Sequence, residues 1–241
     1  MDELNQRSEH PFWGQRCVHL LLDPDKWNVA DLRAALMVVP GIVKSLIVGG
    51  TFIHSDNFQR VMDCCIESGL PVGNVISVGL PDTMIREDAS YVLVPVLLNS
   101  ISTEYVTHHL IRSVPTIAKH NLRLVTYAYL MLAGGVSTSA EFFTQTLPIP
   151  RGKPEILATL ARAASYLGLE GIYLEAGSGA NMQVSAEEVR VVRGACSLPI
   201  IAGGGVDSAS ACRDLFDVGV SCIVIGTAVE RLKDFSWLKD V

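Results

Sequence analysis

The sequence predicts one α/β domain, a barrel of eight parallel strands wrapped by helices. Three observations carry that expectation. Eight short, continuously apolar runs recur along the 241 residues, amphipathic stretches separate most of them, and no internal repeat, low-complexity tract or Pro/Ser-rich linker divides the chain. Continuous rather than alternating apolarity marks strands buried on both faces, as in a parallel sheet covered by helices. A barrel is the most economical way to arrange eight such units, with a doubly wound open sheet as runner-up. The domain is expected to span 1–241, with 1–16 as an N-terminal extension.

The first run, CVHLLLD (17–23), ends in the turn-forming Asp-Pro-Asp, and NVADLRAALMVV (28–39) follows with Asn at a capping position. VKSLIVGG (43–50) leads to SDNFQRVMDCCIESG (55–69), a helix pattern opened by Ser and closed at Gly. Between the third run, PVGNVISV (71–78), and the fourth, YVLVPVLL (91–98), stand only about a dozen residues, too few for two loops and a helix. The third crossover helix is therefore expected to be missing or vestigial. STEYVTHHLIRSVPTIAKH (102–120) reads as a helix before the fifth run, LRLVTYAYLML (122–132). The stretch 133–152 is too long for a plain connection and is a candidate lid or binding loop. After the helix pattern KPEILATLARAASYLG (153–168), three runs remain: GIYLEAG (171–177), PIIAGGG (199–205) and SCIVIGT (221–227). They alternate with SAEEVRVVRGA (185–195), DSASACRDLFDVG (207–219) and a short final helix, TAVERL.

Composition narrows the function. Hydrophobic residues are 49% and charged residues 18%, with a mean hydropathy of +0.33, which excludes a disordered chain. Nineteen Lys and Arg against 25 Asp and Glu give a net charge of -6. No global basic field is available for DNA or RNA, so any bound anion must be held locally. No apolar run approaches the roughly 20 residues that span a bilayer, and the N-terminal stretch lacks a secretory apolar core. A cytoplasmic protein is the expectation. Six cysteines form no C-x-x-C pair and read as small buried hydrophobes, indicating neither a zinc site nor a disulfide framework.

In such a barrel the chemistry sits at the C-terminal strand ends. There the sequence places Asp23, Asp25 and Lys26; Gly49, Gly50 and Thr51; Asn99 and Ser100; Glu175, Gly177 and Ser178; Gly203 to Gly205; and Gly226 and Thr227. The glycines in loops seven and eight read either as tight turns or as a phosphate cradle, where backbone approaches an anion closely and helix N-termini offer unpaired amides. Glu175, one residue past an apolar strand core, reads as a general base or hydroxyl acceptor, or as a salt bridge closing the barrel rim. Asp23 suits Mg²⁺ shared with phosphate oxygens, or simply shapes the Asp-Pro-Asp turn. Thr51 offers a hydroxyl ligand or a helix cap, and Lys26 a phosphate ligand or a solvated charge. His108 and His109 lack metal-binding partners in sequence and read as surface or core histidines. Tyr91, Tyr105, Tyr127, Tyr129 and Tyr173 read chiefly as core.

Together, LDPDK (22–26), VGGT (48–51), LLNS (97–100), YLEAGSGA (173–180), AGGGV (202–206) and IGTAVE (225–230) resemble the geranylgeranylglyceryl phosphate synthase family, which includes the bacterial PcrB-type heptaprenylglyceryl phosphate synthases. The similarity runs from Cys17 to Arg231, and YLEAGSGA is its most specific part. Gly226-Thr227, where bacterial PcrB members tend to have Gly-Asn, is closer to the archaeal type. The resemblance implies a modified TIM barrel whose third helix is replaced by a loop or strand. It implies Mg²⁺-dependent transfer of a prenyl group, geranylgeranyl by the family's archaeal pattern, from a prenyl diphosphate to the 3-hydroxyl of sn-glycerol 1-phosphate, the first ether bond of archaeal-type phospholipid. Carried over by motif, Asp23 and Thr51 hold Mg²⁺. Tyr173, Leu174, Glu175, Ala176, Gly177, Ser178 and Gly179 surround glycerol phosphate, and Gly204, Gly205, Gly226 and Thr227 cradle its phosphate. Glu175 takes the hydroxyl proton, while Tyr105, as a floor residue, and Tyr129 belong to the prenyl side. A homodimer or larger homo-oligomer and a transient membrane contact for product release also follow from the resemblance.

The chain departs from the family pattern at three places on the expected prenyl side. VGL (78–80) replaces an FPG-like turn, Val106-Thr107 an Ile-Gly, and Ala128-Tyr129 a Gly-Tyr. Two other readings stand beside the prenyltransferase: another phosphate-binding barrel enzyme, such as a sugar-phosphate isomerase or an indole-glycerol-phosphate-type lyase, or a catalytically silent paralogue that binds a phosphorylated ligand.

Overall fold

Eight parallel strands pair in sequence order, and the last pairs with the first to close a barrel. The computed structural model describes residues 16–54, 56–76, 85–135 and 137–241. In chain order the elements are β1 (Cys17–Leu22), α1 (Val29–Leu36), β2 (Val43–Val48), α2 (Phe58–Glu67), β3 (Val72–Val75), β4 (Tyr91–Val96), a π turn (Glu104–His108) running into α3 (His109–Lys119), β5 (Leu124–Met131), α4 (Ser139–Thr144), α5 (Pro154–Tyr166), β6 (Gly171–Glu175), α6 (Ala186–Ala195), β7 (Ile200–Gly203), α7 (Ala209–Asp217), β8 (Cys222–Ile225), α8 (Thr227–Leu232) and a 3₁₀ turn (Ser236–Asp240).

All eight apolar runs form strands, and their continuous apolarity has the expected cause. Val18, Leu20 and Leu22 of β1 face the helices, together with Ile172 and Leu174 of β6, in a large outer core. The alternate positions fill the barrel: Cys17 on β1, Ile47, Tyr91, Leu93, Val125, Tyr127, Tyr173, Ile201, Cys222 and Val224. Helix starts follow their caps. Asn28, Thr138, Ser185 and Ser208 each accept an amide of the first turn, and Ser185 with Glu188 forms a reciprocal capping box.

Between β3 and β4 the described residues 85–90 hold only turns, and no helix forms there. The remainder of that connection, 77–84, lies outside the described residues, as do the VGL departure at 78–80 and all but the last residue of the 1–16 extension. The long 133–152 stretch is not bare loop: it carries α4. Among the described residues no helix is long and apolar enough to cross a membrane.

Candidate active site

Two cavities open at the C-terminal end of the barrel and meet at one carboxylate. The larger, about 1000 Å³, is lined by Asp23, Lys26, Gly50, Thr51, Gly177, Ser178, Gly179, Gly204, Gly205, Gly226 and Thr227 among others. The second, about 680 Å³, is walled mostly by apolar side chains such as Leu21, Ile47, Val75, Ile76, Leu93 and Leu97, and reaches Tyr105, His109 and Arg112 at α3. Thr51, Tyr129, Tyr173 and Glu175 line both.

Glu175 ends β6 and is 8% exposed. Its Oε1 accepts the Gly177 amide at 2.6 Å. The Tyr129 and Tyr173 hydroxyls also bond to the carboxylate, and the two rings lie 4.9 Å apart. Burial raises the carboxyl above its ordinary value, against the opposing pull of the Gly177 amide and the two phenols. The phenols themselves are driven far up by burial and by the neighbouring carboxylate. A carboxylate made more basic at the junction of a polar and an apolar cavity has the character of a general base. No ion pair with Glu175 occurs among the described residues, and the salt-bridge reading of this residue finds no partner there.

The glycines of loop seven have a cause that sequence could not display. A Cβ at Gly203 would stand 2.1 Å from the Tyr173 hydroxyl. At Gly204, which has a φ of +84°, a Cβ would meet Glu175 Oε1 at 2.5 Å and the Gly177 amide nitrogen at 2.6 Å. These two glycines admit the tyrosine and the carboxylate. Gly205, with a φ of +73°, lies against Ala180 and Gln183 and lines the polar cavity. Gly226 and Thr227 open α8, and the Thr227 hydroxyl is 2.8 Å from that of Ser178, joining loops six and eight.

Asp23 is held from several sides. Its Oδ1 accepts the Asp25 amide at 3.0 Å, its Oδ2 is 3.4 Å from Lys26 Nζ, and its own amide donates to Glu230 Oε1 at 3.3 Å. Glu230, buried on α8, also accepts from Lys26 Nζ at 3.0 Å. Burial alone would lower the Lys26 ammonium, but Glu230 and then Asp23 reverse this and leave it above its ordinary value. Asp23 and Thr51 present oxygen donors to the same cavity, the hard-donor chemistry that Mg²⁺ takes alongside phosphate oxygens. The donor set fits that ion.

The other expected residues divide clearly. Tyr173, Gly177, Ser178 and Gly179 line the polar cavity, whereas the Leu174 and Ala176 side chains point to the outer core and line neither cavity, because alternate residues of a strand face opposite sides. Tyr105 and Tyr129 line the apolar cavity. Of the departures, Ala128 packs in the outer core and Thr107 is exposed, so neither side chain lines the cavity. The Asn99 amide nitrogen and the Ser100 hydroxyl bond the Leu147 and Thr144 carbonyls, and neither residue lines the cavities. His108 is exposed; His109 is buried, with its ring nitrogens 2.9 Å and 2.7 Å from the Glu104 and Pro95 carbonyl oxygens. Sequence reasoning missed Glu230 and α4, which brings Ala140 to both cavities and Phe143 to the polar one. The signal for Glu230 was its place in the last helix, one turn after Gly226.

Comparison with known proteins shows the family to which the chain is related. The model of the PcrB family matches residues 13–239. A geranylgeranylglyceryl phosphate synthase of Korarchaeum cryptofilum is 34% identical over 221 residues, covering 89% of this chain and 88% of that protein. One from Spirosoma linguale is 30% identical over 223 residues, covering 92% and 88%. Among solved structures, the (S)-3-O-geranylgeranylglyceryl phosphate synthase of Thermoplasma acidophilum, in complex with sn-glycerol-1-phosphate, superposes with a TM-score of 0.79 at 27% identity, covering 94% of this chain and 92% of that one. The chain belongs to the PcrB family.

Proposed function

We propose that the protein transfers a prenyl group, geranylgeranyl by its likeness to the named synthases, from a prenyl diphosphate to the 3-hydroxyl of sn-glycerol 1-phosphate. The observation that supports this best is the meeting of a polar and an apolar cavity at Glu175. Glycerol phosphate occupies the polar side, its phosphate near the loop-seven and loop-eight backbone at Gly205, Gly226 and Thr227. The isoprenoid tail lies in the apolar channel toward Tyr105, which excludes water from the reacting carbon. Glu175 takes the 3-hydroxyl proton as that oxygen forms its bond to C1 of the prenyl group and the C1–diphosphate bond breaks. Gly177, Tyr129 and Tyr173 hold the carboxylate in place for this step. Asp23 and Thr51 would hold Mg²⁺, which supplies charge neutralisation for the departing diphosphate. Lys26 and Glu230 keep Asp23 oriented toward the cavity.

The test is incubation with Mg²⁺, labelled sn-glycerol 1-phosphate and prenyl diphosphates of several lengths. The expected result is an ether-linked product with release of diphosphate. No ether product at any chain length would discard the reading.

A further inference from the structure

At the opposite end of the barrel from Glu175, three potential metal ligands converge. Cys17 and Cys222 are the first residues of β1 and β8 and lie directly opposite each other in the parallel pairing. His19 is two residues along β1, so it faces the same side as Cys17, and all three are buried. Cys17 Sγ is 3.7 Å from His19 Nε2, and the ligand atoms of the three residues all lie within 4.8 Å of one another.

We propose that Cys17, His19 and Cys222 bind a thiophilic divalent ion, zinc, that staples the first strand of the barrel to the last. The spacing fits: zinc takes thiolate sulfur at about 2.3 Å and imidazole nitrogen at about 2.0 Å, which at a tetrahedral angle separates the two ligand atoms by roughly 3.5 Å. Charge selects the ion. Two thiolates, one imidazole and a divalent cation sum to zero, which the surrounding apolar core of Ile201 and Val224 tolerates; a monovalent copper ion would leave a buried negative charge.

The site is separate from the catalytic one in place and in chemistry. Leu21 and Val224, one pleat above His19 and Cys222, line the cavities, and the donors here are sulfur and nitrogen rather than the oxygens of Asp23 and Thr51. Its role follows from position. An ion joining β1 to β8 closes the barrel seam between residues at opposite ends of the sequence, where loop-closure entropy is largest.

The experiment uses the full chain, refolded from denaturant with a small excess of zinc and dialysed against metal-free buffer, with metal measured by mass spectrometry. The expected result is about one zinc per chain, held by the three ligands in the buried barrel floor. Cys17→Ser and Cys222→Ser, each checked for native circular dichroism, should lose it. Cobalt substitution should give a thiolate-to-metal charge-transfer band in the parent protein that is absent from both variants, and refolding without metal should lower the thermal midpoint. Parent protein that retains no zinc, or a folded double-serine variant that retains as much as the parent, overturns the proposal. So does stoichiometric copper(I) in preference to zinc, or an intact mass showing Cys17 and Cys222 joined as a disulfide.

Discussion

Gly204 occupies a position where a side chain would displace the Glu175 carboxylate. A Cβ there would lie 2.5 Å from Glu175 Oε1, the oxygen that accepts the Gly177 amide. The glycine-rich turn after β7 thus serves the carboxylate at the end of β6, its neighbour in the sheet. Gly204→Ala should cost about 1–3 kcal/mol for its left-handed backbone conformation and should lower kcat by displacing the base. Parent-like kcat with normal stability would show that the packing tolerates the methyl group.

Glu175→Gln would remove the proposed proton acceptor while keeping side-chain volume. Turnover should fall roughly 10²- to 10⁴-fold, the range of general-base contributions, while calorimetric binding of sn-glycerol 1-phosphate survives. Full activity in this variant would remove the base assignment.

The pH dependence of Glu175 should act in opposite directions on activity and stability. Its carboxyl is raised by burial, and only the ionised form can take a proton. The acid limb of kcat/KM should therefore lie above the ordinary carboxylate range, with activity lost as pH falls through it. Tyr173→Phe, which deletes a bond to the ionised form, should move the limb higher still. For stability the sign reverses: a raised folded value favours the protonated form, so this contribution is full at low pH and is lost as pH rises through the folded value. Glu175→Gln should accordingly raise the thermal midpoint at neutral pH; a lower midpoint would contradict the burial argument.

Glu230 should act through Asp23. It anchors both the Asp23 amide and Lys26, so Glu230→Ala should raise the Mg²⁺ concentration for half-maximal activity roughly 10- to 100-fold, as supporting residues of metal sites do. A magnesium titration at saturating substrates is the measurement. An unchanged midpoint would limit Glu230 to structure.

Tyr105 lines the apolar channel at the π turn before α3. Tyr105→Ala should extend the range of prenyl diphosphates accepted toward longer chains, read from product lengths in competition. An unaltered length profile would place the end of the chain elsewhere.

By itself the sequence determined the eight strands, their burial on both faces and which polar residues and glycines stand at the strand ends. These are local properties: run length, side-chain alternation and turn residues are set by neighbours within a few positions. The place of Asp23, Thr51, Glu175 and the glycines of loops seven and eight at the barrel mouth was legible for that reason. Only the tertiary structure decided that Gly203 and Gly204 make room for Tyr173 and Glu175, that Leu174 and Ala176 face the outer core, and that Glu230 supports Asp23 across the barrel closure. It likewise brought Cys17 and His19 to Cys222, although no short spacing joins them in the chain. Closing the barrel makes neighbours of residues from opposite ends of the sequence, and their contacts depend on strand register rather than on any local pattern.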